Sequence, residues 1–201
     1  GIPFIKPWDG EELEAKIVKA ASTGARVLGM DLDAAGLIAL ARMGRPVSPK
    51  SRQELSRIVE RVHREGMKFL LKGLMAPEDA LAAEGAGCDG IVVSNHGGRV
   101  LDHTPGTLDV LPAIAAQVRG RMAVLMDGGI RNGGDVLKAL ALGADAVLVG
   151  RPYAIAAIGG GAEGVAAQTE CFRNELVQVM LLTGCASVRE AGRHLIRTGK
   201  A

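Results

Sequence analysis

The chain has 201 residues, a formal net charge of +2 and 48% hydrophobic residues, which suits one sizeable core and argues against a disordered chain. So small a charge gives no support to a polyanion partner, and 2% aromatic residues leave no stacking platform for nucleic acid. No stretch is long and apolar enough to span a bilayer, the N-terminus lacks a signal peptide's apolar core, and three cysteines without metal-type spacing read as reduced, buried thiols; the expectation is a soluble, cytoplasmic protein without a metal.

Helix-period segments alternate with short β-rich runs. Asp9 with Glu12 resembles a capping box that opens a helix carrying Leu13, Ile17 and Ala20 on one face. The strand candidate "ARVLGMDLD" (25–33) follows. Ser51 and Glu54 open a second helix with Leu55, Ile58, Val59 and Val62 at helical spacing, and "MKFLLKG" (67–73) comes next. Pro77 suits the first turn of the helix before "DGIVVSNHG" (89–97). A helix from about Thr107 leads to "MAVLMDGG" (122–129). Asn132 caps another, with Asp135 in its first turn, before "ADAVLVGRP" (144–152). The tail holds a helix near 162–183 stopped by Gly184, and one opened by Ser187 and Glu190.

The last four β-rich runs are continuously apolar, as strands buried on both faces are, and helical crossovers between them imply a parallel sheet. Lys72, His96, Asp127 and Gly150 each fall at the C-terminal end of such a run, the end that faces the active site of a (β/α)8 barrel. A doubly wound open sheet is the rival, weakened because no G-x-G-x-x-G follows a strand. The expected fold class is α/β of the (β/α)8 TIM-barrel type, here a partial barrel of about five parallel strands with C-terminal helices, in a single domain over 1–201. Five strand candidates fall short of the eight a closed barrel needs.

The strand ends carry the chemistry. "DGGIR" (127–131) and "GRP" (150–152) place glycine turns and Arg131 and Arg151 before helix starts, a pattern suited to phosphate, although such glycines also serve plain tight turns. Lys72 either snorkels to solvent or holds a cation over the barrel mouth. His96 is a proton acceptor near neutral pH, and Arg99, three residues on, matches a carboxylate; Gly97 and Gly98 keep the backbone between them small. Asp31 or Asp33 is placed to orient the imidazole, or to cap the following helix. His63 and His194 read as solvated, and His103 as a weak candidate for the site.

With these residues in view, the chain closely resembles the FMN-dependent α-hydroxy-acid dehydrogenases and oxidases, the glycolate oxidase, lactate oxidase and mandelate dehydrogenase family. "LLKGLMAPEDALAAEGAGCDGIVVSNHGGRVLDHTPGTLDVLPAIA" and "DGGIRNGGDVLKALALGADAVLVGRP" match its signatures over roughly 66–190, with a looser match over 25–35. The resemblance implies FMN as cofactor and oxidation of an L-2-hydroxy acid of lactate or glycolate type to the 2-keto acid. It implies His96 as base, paired with Asp33, and Arg99 on the substrate carboxylate. Lys72 would lie near the flavin N1/O2 edge, Ser94 would contact the flavin, and Asp127, Gly128, Gly129, Arg131, Gly150 and Arg151 would bind the ribityl chain and phosphate.

The chain departs from the family pattern at Asp31, where Thr is usual; at Val100, where Gln is commoner; and over "AAGLIALARMGRPVSPKS". The family's N-terminal portion, with the first three barrel strands, has no counterpart before residue 25. Two alternatives stand beside the enzyme: a catalytically incompetent phosphate- or FMN-binding partial barrel, and another FMN barrel enzyme such as a flavin-type isopentenyl-diphosphate isomerase, against which His96 with Arg99 argues. The exposed edges of an unclosed sheet point to a homo-oligomer.

Overall fold

The computed structural model describes residues 1–45 and 47–197. Six parallel strands form one sheet in strictly sequential order: β1 (Phe4–Ile5), β2 (Val27–Asp31), β3 (Lys68–Leu74), β4 (Gly90–Val93), β5 (Ala123–Met126) and β6 (Ala146–Val147). A doubly wound sheet reverses strand order at a switch point, and this one does not. The succession is that of a barrel wall, and β1 and β6 remain unpaired with each other among the described residues.

The strand count is six rather than five. The extra strand is two residues long and lies between Pro3 and Pro7, too short to leave a hydrophobic pattern. It pairs through Phe4 with Gly29, where a Cβ would overlap the Phe4 ring at 2.2 Å.

Between the strands run α1 (Gly10–Ser22), α2 (Ile38–Arg42), α3 (Arg52–Arg64), α4 (Pro77–Gly85), α5 (Thr107–Val118) and α6 (Gly133–Ala141), with α7 (Arg151–Thr183) after β6. The Ser51–Glu54 capping box forms in full, and Leu55, Ile58, Val59 and Val62 are buried together. Asn132 caps α6 by accepting from the Asp135 N–H. Asp9 is the N-cap of α1 but makes no cap bond, because its carboxylate is taken by Ser48 Oγ at 2.8 Å and Lys50 Nζ at 2.5 Å.

Apart from β3, the strands are shorter than the apolar runs, since those runs extend into the loops that carry the site. Chain 94–98 leaves the sheet after Val93, and 148–150 leave it after Val147, with helix resuming at Arg151. Within α7, Gly161 takes φ 56° and ψ −140°, so 151–160 and 162–183 are two helical pieces. They pack on each other through the stacked rings of Tyr153 and Phe172, 5.9 Å apart. Gly184, with φ 70°, ends the second piece. The expected helix at Ser187 is a single 3-10 turn, Val188–Glu190, because the Ser187 hydroxyl accepts from the Arg189 N–H instead of completing a box.

The core is one contiguous cluster between sheet and helices, with Leu28, Met30, Phe69, Ile91, Leu111 and Ile114 fully buried. Cys88 and Cys185 are buried, but Cys171 is exposed on α7, and all three are free. His63 is not merely solvated: its Nε2 lies 2.7 Å from Asp89, which also accepts from the buried Phe69 N–H. No helix among the described residues is long and apolar enough to cross a membrane.

Candidate active site at the strand ends

The C-terminal ends of β2 to β5 bring Asp31, Lys72, Ser94 and Asp127 together. Asp31 and Lys72 are direct register partners on adjacent strands. The Lys72 ammonium is buried and lies 3.0 Å from Ser94 Oγ, 3.2 Å from Asp127 Oδ2 and 3.4 Å from Asp31 Oδ1. It is therefore a held cation and not a snorkelling surface lysine. Burial pushes the Asp31 carboxyl up, but the hydrogen bond from Lys6 and the charges of Lys72, Lys6 and His96 outweigh it and hold the group below the ordinary carboxylate value.

After Val93 the chain turns sharply: His96, Gly97 and Gly98 all have positive φ, at 55°, 68° and 76°. A histidine in that conformation stores strain of about 1–3 kcal/mol, maintained only by its surroundings. Here the Ser94 hydroxyl accepts from the His96 N–H and the Asn95 side chain accepts from the Gly97 N–H. The turn aims the imidazole at Asp33, whose two oxygens lie 3.2 and 3.3 Å from Nδ1. Gly73 makes this contact possible. It sits at the register shift in β3 with φ 104°, and a Cβ there would lie 2.6 Å from Asp33 Cγ.

Below the histidine lies a cavity of about 420 Å³ lined by Lys72, His96, Gly97, Arg99, Asp127–Arg131, Leu148, Gly150, Arg151 and Ala154. That volume falls in the small-ligand range. Arg99 is anchored by its Nε donating to the His96 carbonyl at 3.1 Å, and its guanidinium makes no other side-chain hydrogen bond among the described residues. Gly128 and Gly129 both have positive φ, and a Cβ on Gly128 would meet Thr107 Oγ1 at 3.0 Å. Thr107 in turn donates to the Asp127 carbonyl at 2.6 Å and fixes the turn. Gly150 caps α7, so Arg151 stands at the positive end of a helix.

Of the residues expected from sequence, Lys72, His96, Arg99, Asp127, Gly128, Gly129, Arg131, Gly150 and Arg151 line the one cavity. Asp33 reaches it through His96. Ser94 is buried behind it, its hydroxyl engaged by Lys72 and the His96 N–H. His103 is exposed and outside the lining, and His194 lies in the 3-10 turn Arg193–Leu195. Three contributors went unseen: Gly73, Thr107 and Lys6, whose Nζ lies 2.5 Å from Asp31 Oδ2. For Lys6 a signal existed, since "FIKP" repeats the pattern of "LLKG", an apolar run ending in lysine.

An FMN-type ligand fits the chemistry of this donor set. Asp127, which lines the cavity, keeps its Oδ1 buried without a hydrogen-bond partner among the described residues, an acceptor that a hydroxyl of a polyhydroxyl chain would suit. The glycine turns, Arg131 and Arg151 would supply donors for its phosphate.

Fold and site together define an α/β protein of partial-barrel type with glycine turns, arginines and a His–Asp pair at its strand ends. Residues 39–198 match the family model described as FMN-dependent dehydrogenase, and the chain belongs to that family. It is 48% identical over 132 residues to a peroxisomal (S)-2-hydroxyacid oxidase of Arabidopsis thaliana, covering 66% of this chain and 36% of the relative. It is 50% identical over 132 residues to an L-lactate oxidase of Lactobacillus jensenii, covering 66% and 32%. A solved mandelate oxidase superposes with a TM-score of 0.83 at 33% identity, over 95% of this chain and 62% of that one. The chain thus spans about a third of the length of these curated relatives.

Proposed function

We propose that this chain carries the FMN-phosphate cradle and the acid–base machinery of an L-2-hydroxy-acid oxidoreductase acting on a lactate- or glycolate-like substrate. The observation that carries the reading is the His96–Asp33 pair and Arg99 opening onto the same cavity as the cradle of Gly128, Gly129, Arg131 and Arg151. FMN, when bound, supplies the two-electron acceptor. With Nδ1 committed to Asp33, the Nε2 of His96 is the nitrogen free to take the hydroxyl proton, and Asp33 stabilises the imidazolium that results. Arg99 holds the substrate carboxylate as a planar fork. Lys72 keeps a buried positive charge beside the acceptor, and Ser94 orients Lys72 and the His96 backbone.

The reading extends to a single domain, supported by one continuous sheet and core, and to a reducing, cytoplasmic setting, supported by three free thiols. Self-association is supported by Ile155, Ile158, Leu181 and Leu182, exposed along α7.

The phosphate role is tested by ligand choice. Arg151→Met is expected to weaken FMN binding about tenfold or more while leaving riboflavin binding unchanged, by flavin fluorescence titration, because only the phosphate loses a charge-assisted contact. Equal losses for both ligands would remove Arg151 from phosphate recognition.

A further inference from the structure

Lys6 lies outside the sequence that resembles the family and outside the cavity lining, yet it is wired into the site. Asp31 places a carboxylate against Lys72 in addition to that of Asp127. An uncompensated Asp31 would draw the Lys72 ammonium and cancel its field at the cavity, since charges at such distances in a partly buried site couple strongly. Lys6 holds the other Asp31 oxygen at 2.5 Å, nearer than Lys72 at 3.4 Å. Its side chain is partly buried, and it directly follows β1 as Lys72 lies near the end of β3.

We propose that Lys6 is a positioning residue that neutralises Asp31 and thereby leaves the charge of Lys72 available to stabilise the reduced, anionic flavin. This rests on the FMN reading above but requires no contact between Lys6 and the cofactor. The depressed Asp31 carboxyl is consistent with a group that stays ionised and needs such compensation. Lys6 and Asp31 then form a neutral pair beside Lys72.

The signs of charge make the test. The two-electron midpoint potential of bound FMN, measured by equilibration with a reference dye, is expected to fall by ~30 mV in Lys6→Met, the equivalent of tenfold in the equilibrium. Asp31→Asn, which leaves Lys6 unopposed, should raise it. The double variant should return it to the wild-type value, and Lys6→Arg should keep it there. Shifts of the same sign in Lys6→Met and Asp31→Asn, or no shift in either, would overturn the proposal, because a merely structural lysine predicts no reversal of sign.

A second arm needs no flavin. The coupling between Asp31 and Lys72, from Asp31→Asn and Lys72→Met in denaturant unfolding of the FMN-free chain, is expected to grow about tenfold in the unfolding constant when Lys6 is Met. Equal coupling in the two backgrounds overturns the proposal whether or not FMN binds. Failure of the wild-type chain to bind FMN, with the coupling increased as expected, would count against the proposed function and leave the role of Lys6 standing.

Discussion

His96 holds its backbone in the left-handed region, Asp33 abuts a glycine that admits no Cβ, and Asp127 keeps a buried oxygen without a partner among the described residues. These are costs of folding that a ligand-binding loop recovers in function. Gly73→Ala is expected to destabilise the chain by about 1–3 kcal/mol, from both the positive φ and the collision with Asp33, and to separate Asp33 from His96. Denaturant unfolding checks the first effect; unchanged stability would show that Asp33 is not held against Gly73. The cysteines differ in the same local way. Burial, with the charge of Asp89, pushes the Cys88 thiol up to about 12, while Cys171 is exposed. One thiol should therefore react with a thiol reagent in the native state and two more only on unfolding.

At the scale of elements, the sequence was most legible where a side chain makes a local, repeating demand. The Ser51–Glu54 box, the Asn132 cap, the proline opening α4 and the buried stripe of α3 all formed as read. It was least legible where a distant group competes. Asp9 left its cap for Ser48 and Lys50, and the Ser187 hydroxyl turned to a nearer N–H. The helical piece at 151–160 went unread because "GRP" before it and Gly159, Gly160 and Gly161 at its end read as turn residues. Two glycines separate packing from propensity. A Cβ on Gly133 would lie 2.1 Å from the Leu176 backbone nitrogen, so Gly133→Ala should force α6 off α7 and cost about 1–3 kcal/mol. Gly159 faces open space, and Gly159→Ala should instead stabilise by about 0.5–1 kcal/mol. Thermal unfolding of both variants reads the contrast directly; shifts of the same sign would refute the close α6–α7 contact.

Across the whole molecule, sequential parallel strands carry every polar residue of the site to one end of the sheet, as a barrel wall does. That is why the site could be read from sequence: each βα unit marks its own functional end by stopping an apolar run at Lys72, His96, Asp127 or Gly150. The part that could not be read, the Lys6–Asp31–Lys72 chain, depends on register between β1, β2 and β3, which no single segment encodes. These strand ends are proposed to form one flavin-dependent oxidation site. That assignment is tested most directly by adding L-lactate or glycolate, without oxygen, to the intact chain loaded with FMN and following the flavin absorbance. The wild type is expected to bleach, and His96→Ala to retain flavin without bleaching. Bound flavin that stays oxidised in the wild type, or equal bleaching in His96→Ala, would contradict that assignment.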